Sequence, residues 1–303
     1  MGLLRKEDMH DTFFEYICSL HSNPNILING YFKNPINQRG QQSYTPNGEY
    51  TIDRWKSNGL IKLDLVKNGI KITPLSNHLD YDGIKQYIED FKELLNKKVT
   101  LSIKVNSIDG NWNVYVQKNG TTNYGYTPIN KIGIHSVTFI IEESEDIDKL
   151  AVFIENGKTT LTPIEIEWIK LEIGDCPTPF TPRPYGEELA LCQRYYFQNK
   201  YFVGYIEANS NNILSTNSYK YPVRMRMGPT IRKLIDQPIN NIHNVDWSIN
   251  YVEPDSSKIT HKTPTILNDE MCCFNFQNSL IPENTLLMIR IKDNAYEFDA
   301  EIY

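Results

Sequence analysis

Residues 176 to 184 read CPTPFTPRP, four prolines in nine positions. Each proline holds φ near about −65° and has no N–H to donate, so this stretch can lie neither inside a helix nor at the centre of a sheet. It is expected to run as a stiff, extended linker that divides the chain. At 303 residues there is enough sequence for two domains that each bury a core. The predicted organisation is a helical attachment segment over 1–23, a first β domain over 24–182 and a second over 183–303.

On either side of the prolines the hydrophobic period is two, the mark of half-buried strands. Val99, Leu101, Ile103 and Val105 alternate with Thr100, Ser102 and Lys104, and the same rhythm runs through Val137, Phe139 and Ile141 and through Ile164, Ile166 and Trp168. Val223, Met225 and Met227 repeat it in the second domain, and Tyr296, Phe298, Ala300 and Ile302 carry a strand to the last residues. Asn68-Gly69, Asp109-Gly110, Asn119-Gly120 and Asn156-Gly157 are read as hairpin tips, because both residues of such pairs tolerate left-handed backbone. The predicted class is all-β, two antiparallel sandwiches joined by the proline linker and a short helix.

Three stretches carry a helical period instead. Met9, Phe13, Tyr16 and Leu20 form a stripe near the amino end, suited to the chain's own sheet or to a partner. Ile84, Ile88, Phe91 and Leu95 share a side, which predicts a short helix or irregular crossover ahead of the Val99 strand. From Glu187 to Tyr196 a brief helix would place Leu189, Cys192 and Tyr196 together, the candidate surface for three chains to meet.

The charge balance, 31 basic against 37 acidic residues, with the basic ones scattered, does not provide the basic footprint of a nucleic-acid binder. No apolar run is long enough to span a membrane, and the opening MGLLRKEDMHD lacks the unbroken apolar region of a secretory signal. Cys18, Cys176, Cys192, Cys272 and Cys273 are odd in number and show no paired spacing, so they are expected to be reduced and mostly buried.

Motifs of chemistry are missing from the sequence. Histidines 10, 21, 78, 135, 243 and 261 have none of the spacings that build a zinc face, and there is no nucleophile elbow, phosphate loop or dinucleotide fingerprint. The acidic run EESEDID at 142–148 has no glycine for a calcium loop and reads as a solvated loop. No catalytic residue, metal or cofactor is expected. What remains is aromatic. Trp112 and Tyr115 precede one hairpin tip and Tyr124 and Tyr126 follow it, while Trp247 and Tyr251 share a face near His243. Such rings stack on the apolar face of a sugar while neighbouring amides bond its hydroxyls. Ordinary strand packing is the competing reading. Trp55 and Trp168 sit in apolar alternations and are expected in the core.

NILINGYFKNPINQRG (25–40), GEYTIDRW (48–55) and QYIEDFKELLNKKVTLSIKV (86–105) resemble a carbohydrate-binding-module-like jelly roll found in bacteriophage tail and prophage proteins. WIKLEIGDCPTPFTPRPYGEELALCQRYY (168–196) is similar to the junction at which such proteins end the jelly roll and begin a fibre-tip domain. Phe180, Pro182, Arg183, Glu187, Cys192, Arg194, Tyr195 and Tyr196 stand at its pattern positions, and YPVRMRMGPTI (221–231) is similar to a strand of that tip. The resemblance implies a non-catalytic, homotrimeric tail-fibre or receptor-binding protein. It would reside in the virion tail, bind bacterial cell-surface polysaccharide, and join other tail or baseplate proteins through its amino-terminal segment. A polysaccharide depolymerase tailspike and a purely structural baseplate connector are the alternatives.

Overall fold

The computed structural model describes residues 16, 18–75, 82–144, 146–157, 161–199, 202–208, 213–216, 219–234, 239–244, 260–277, 286–291 and 295–301. Their regular structure is almost entirely strand, with one regular helix, and they fall into two compact units over 1–188 and 189–302.

In the first unit the strands are Ser43–Tyr44 (β1), Lys56–Asn58 (β2), Ile61–Val66 (β3), Gly69–Pro74 (β4), Gly83–Ile88 (β5), Lys98–Ile108 (β6), Trp112–Lys118 (β7), Thr122–Ile129 (β8), Gly133–Ile140 (β9), Leu150–Asn156 (β10) and Ile164–Ile173 (β11). They make a six-stranded sheet in the order β1-β3-β4-β11-β6-β9 and a five-stranded sheet in the order β2-β5-β10-β7-β8. Named strand pairs are antiparallel, so each strand sends alternate side chains to opposite faces. One core lies between the sheets. Val99, Leu101, Ile103 and Val105, predicted from their alternation, are buried in it with Trp55, Trp112, Ile154 and Ile169. Trp55 meets Phe32 edge to face, and its indole N–H donates to the Asn29 carbonyl at 2.9 Å.

The turn pairs divide by position. Lys67 and Asn68 link the β3–β4 hairpin, with Gly69 its first strand residue. Asn119 and Gly120, at φ 51° and 78°, turn the β7–β8 hairpin. Asp109-Gly110 and Asn156-Gly157 instead follow strands of one sheet and lead to strands of the other.

The stretch expected as a helix around Ile84 is mostly β5, followed by a single 3-10 turn at Phe91–Leu94. Ile84 and Ile88 are four apart and therefore fit both periods. Gln86 between them is also buried, bonding both the N–H and the carbonyl of Ile28. A polar residue on the core face hides a strand's alternation.

The proline stretch is extended, as expected, but it is a strap on the first unit rather than a spacer. Register shifts in β11 flank Ile166 and put Trp168, Lys170 and Glu172 on the outer face. Trp168, expected in the core by its spacing from Ile166, is buried, but outside the inter-sheet cluster, where it stacks on Phe180 at 4.8 Å. Tyr31 closes on the same Phe180 ring at 5.6 Å. Beneath the strap the Lys170 ammonium lies 3.1 Å from the Glu172 carboxylate, both side chains at most 1% exposed. That ammonium also donates to the Thr178 hydroxyl at 2.7 Å and the Pro179 carbonyl at 3.0 Å. Arg183 reaches back to the Leu27 carbonyl and pairs with Glu188, which accepts the Asn29 N–H.

Cys18 and Cys176 form a disulfide. This corrects the expectation of uniformly reduced cysteines: the two lie 158 residues apart, and spacing rules see only local pairs. Of the amino-terminal stripe, Tyr16 and Leu20 are exposed, while Met9 and Phe13 lie outside the described residues.

The regular helix, Tyr185–Gln193 (α1), ends earlier than expected. The second unit continues with Tyr196–Gln198 (β12), Phe202–Ala208 (β13), Ile213–Thr216 (β14), Tyr219–Lys220 (β15), Thr230–Lys233 (β16), Ile239–Asn244 (β17), Thr260–Ile266 (β18), Met271–Gln277 (β19), Leu286–Ile291 (β20) and Tyr296–Asp299 (β21). β12, β21 and β16 form one small sheet; the others form a second, in which β18 pairs with β19 off the main order. Phe197 and Phe298 stack at 4.4 Å, and Tyr219 and Tyr221 pack on Phe298, so rings fill the space between the sheets. The final strand stops at Asp299; Ile302 lies outside the described residues. Residues 223–227 form no strand despite their alternation: Met225 N–H goes to the Asp269 carbonyl and Arg226 N–H to that of Arg194, rather than along one ladder.

Candidate functional site

The outer face of the five-stranded sheet carries the aromatic residues that the core does not absorb. In β10 the side chains of Leu150, Val152 and Ile154 enter the core, so Ala151, Phe153 and Glu155 face outward. Register then sets their neighbours. Phe153 is directly opposite Lys85 on β5 and Tyr115 on β7, and Ala151 is opposite Tyr87 and Gln117.

One irregularity completes the row. Val114 pairs with Thr127 and Val116 with Tyr124, so Tyr115 faces two residues, Gly125 and Tyr126. Gly125 has φ 59°, and a Cβ there would come within 2.3 Å of the Phe139 ring, which leaves glycine as the residue that fits. Without the bulge Tyr124 and Tyr126 would share a face; with it Tyr124 packs against the core and Tyr126 points out. Tyr126 stacks on Tyr115 at 5.6 Å, and Tyr115 on Phe153 at 5.3 Å with planes 4° apart.

Rings stacked this way across a sheet support one another and expose little area. Tyr115 is 3% and Phe153 6% exposed, while Tyr126 at the end of the row is 50% exposed. Tyr87, half-buried, packs beside them. Tyr126 and Tyr87 are therefore the rings a ligand can reach, with Tyr115 and Phe153 as their base.

Charged groups border the row. The Lys85 ammonium lies 5.3 Å from the Phe153 ring centre and 5.7 Å from that of Tyr87, cation-π distances, and donates to the Asn58 side chain at 3.1 Å. Lys56, opposite Lys85 in register, sits 5.6 Å from the Tyr50 ring. Burial lowers the Lys85 pKa, and the charges of Lys56 and Lys149 lower it further. Glu155 is 2% exposed, and burial pushes its carboxyl up to about 7 against the opposing pull of the Tyr115 hydroxyl and Lys85.

Of the residues singled out in the sequence, Tyr115 and Tyr126 come together here. Trp112 does not: three residues from Tyr115 in one strand, it faces the other way, is fully buried, and donates its indole N–H to the Thr162 carbonyl. Tyr124 is likewise turned inward. Trp247 and Tyr251 lie outside the described residues. The three candidate assembly residues do not share one helix. Cys192 is buried, and Tyr196, buried in β12 rather than on the helix, donates to Glu297 at 2.9 Å; Leu189 is half-buried. Sequence reading missed Phe153, Tyr87, Lys85 and Glu155. The run LAVFIEN is buried on both faces and shows no period, so only the register reveals which of its residues meet Tyr115.

Among the described residues no group of three or more histidine, cysteine, aspartate or glutamate side chains is placed to hold a metal, and no helix is long and apolar enough to cross a membrane.

No protein-family model matches the sequence, and no curated protein matches it. Among solved structures the chain is similar to a CBM4 module, at 21% identity and a TM-score of 0.32 over 48% of this chain and 98% of that one. It is also similar to the CBM22-1 xylan-binding domain from Paenibacillus barcinonensis Xyn10C, at 9% identity and a TM-score of 0.33 over 52% and 98%. The CBM22-1-CBM22-2 tandem of the same Xyn10C is similar over 93% of this chain and 98% of its own, at 10% identity and a TM-score of 0.32. These are carbohydrate-binding modules. The two-sheet topology described above establishes the fold by itself.

Proposed function

We propose that this chain is a non-catalytic glycan-binding protein whose ligand lies on the outer face of the five-stranded sheet. The observation that carries the reading is the row Tyr126–Tyr115–Phe153, with Tyr87 beside it, held rigid by stacking and left open at Tyr126. A pre-positioned aromatic ring offers a sugar an apolar platform at little entropic cost. The amides of Asn58 and Gln117, next to the row, supply partners for hydroxyls. In the finer reading, supported by the junction resemblance at 168–196, the chain is a phage tail-fibre protein. It sits in the virion tail as a homotrimer, attaches to bacterial surface polysaccharide, and meets other tail or baseplate proteins through its amino-terminal segment. Multivalency would then raise weak single-site affinities without new contacts.

The test is affinity electrophoresis of the intact protein against a panel of soluble bacterial capsular and wall polysaccharides. At least one should retard it. Tyr126→Ala should weaken that retardation about 3- to 10-fold, the worth of one aromatic contact, with thermal stability nearly unchanged because the ring is half exposed. Absence of retardation by every polysaccharide would overturn the reading. Release of new reducing ends would instead establish a depolymerase, with Glu155 the first carboxyl to examine.

A further inference from the structure

Several lysines of the first sandwich are ion-paired, and a group on one face is not. On or beside the strands, Lys62, Lys98, Lys104 and Lys118 each have a carboxylate within 4 Å, at Asp64, Asp175, Glu167 and Asp146. On the outer face of the five-stranded sheet the pattern fails. Lys56 and Lys85 are directly opposite on β2 and β5, a like-charged pair of the kind that destabilises a sheet. Lys149, just ahead of β10, adds a third ammonium that acts on Lys85. Among the described residues none of the three forms an ion pair with a carboxylate; Lys56 and Lys85 rest on the rings of Tyr50, Tyr87 and Phe153 instead. Lys56 and Lys85 are half-buried and Lys149 is exposed. A chain with a net charge of −6 has carboxylates to spare, yet this face keeps three lysines together without an ion pair, and the carboxyl that acts on Lys85 is the buried Glu155.

We infer that this face takes a polyanionic glycan, its carboxylate or phosphate groups meeting Lys56, Lys85 and Lys149 while its sugar rings lie on Tyr126 and Tyr87. The inference rests on the glycan-binding reading of the same face and adds the chemical class of the ligand. Charge complementarity selects it. An anionic repeat would relieve the repulsion between the paired lysines, whereas a neutral glycan would leave that repulsion in place. Carboxylates and phosphates share this chemistry and are separated by the choice of probe.

The experiment is isothermal titration of the intact protein with four polymers: polygalacturonate, its full methyl ester, poly(glycerol phosphate) and polyglutamate. Polygalacturonate or poly(glycerol phosphate) should bind at least about tenfold more tightly than the ester, the combined worth of three partly exposed charge contacts. Their affinity should fall as NaCl rises from about 0.05 to about 0.5 M. Replacing all three lysines, K56Q with K85Q and K149Q, should remove that advantage and the salt dependence while leaving any binding of the ester intact. Should the triple variant fail to fold by circular dichroism, K149Q alone, at an exposed position, should still cost about 2- to 3-fold. Equal binding of acid and ester, polyglutamate binding as tightly as the acidic glycans, or lysine variants with unchanged affinity would each overturn the inference. If only neutral glycans bind, the ligand class is wrong and the glycan reading stands. If no glycan of either kind binds, here or in the polysaccharide panel, the glycan reading itself falls.

Discussion

The two outer faces of the first sandwich bury polar groups in opposite ways. Over the six-stranded sheet the proline strap covers Lys170 and Glu172 and satisfies both: the ammonium reaches the Thr178 hydroxyl and the Pro179 carbonyl, and the carboxylate accepts the Thr178 N–H at 2.9 Å. Over the five-stranded sheet Glu155 is buried against Tyr115, and the nearby positive charges of Lys56, Lys85 and Lys149 have no carboxylate within ion-pairing distance among the described residues. The first face is a closed structural interface, whereas the second retains unspent electrostatic energy beside exposed aromatic surface. Under the proposed function, that difference gives stability to one face and recognition to the other.

The largest expected effect lies under the strap. Lys170→Ala leaves the Glu172 carboxylate buried without its cation and should lower unfolding free energy by about 3–5 kcal/mol in urea titration. A loss below about 1 kcal/mol would mean that the strap does not clamp this face. Next comes the disulfide. Cys18→Ser, or reductant on the native chain, should cost about 2–4 kcal/mol, and equal melting temperatures with and without reductant would refute that.

Smaller, and of opposite sign, is the effect at Glu155. Its carboxyl ionises near the ordinary 4.5 when unfolded and at about 7 when folded. The folded state therefore holds a proton that the unfolded state has released, and stability declines as pH climbs from about 4.5 to about 7. Glu155→Gln removes this penalty. It should stabilise the protein at pH 8 by on the order of 2 kcal/mol and give no gain at pH 4. A variant no more stable than the native chain at pH 8 would show that the carboxyl is better solvated than its burial implies.

Much of the fold was legible because a sheet face writes itself into every second residue. Val99 to Val105 was read correctly: β6 lies between β11 and β9 with one face in the core. Legibility failed where that relation breaks. At Ile166 to Trp168 the register shift moves the tryptophan to the other face, and at Gly125 a bulge separates Tyr124 from Tyr126. Both insert a residue that spacing cannot count. At Phe153 and Glu155 the strand is buried on both sides, so its sequence has no period to show. The strap was visible as prolines but not as a covering, because what it covers, Lys170 and Glu172, reads as a pair of solvent-facing charges until Thr178 is placed above it.

The bond between Cys18 and Cys176 has a mechanical consequence. It joins points on either side of the whole first sandwich, with strands β1 to β11 all lying between them in sequence. Tension entering ahead of Cys18 and leaving beyond the strap first loads the strap's contacts at Thr178, Phe180 and Arg183, and once these give it passes through the sulfur bridge and bypasses the sheets. The sandwich hangs from this covalent shunt as a side load and can stay folded, with its aromatic row in register, while the chain on either side is pulled.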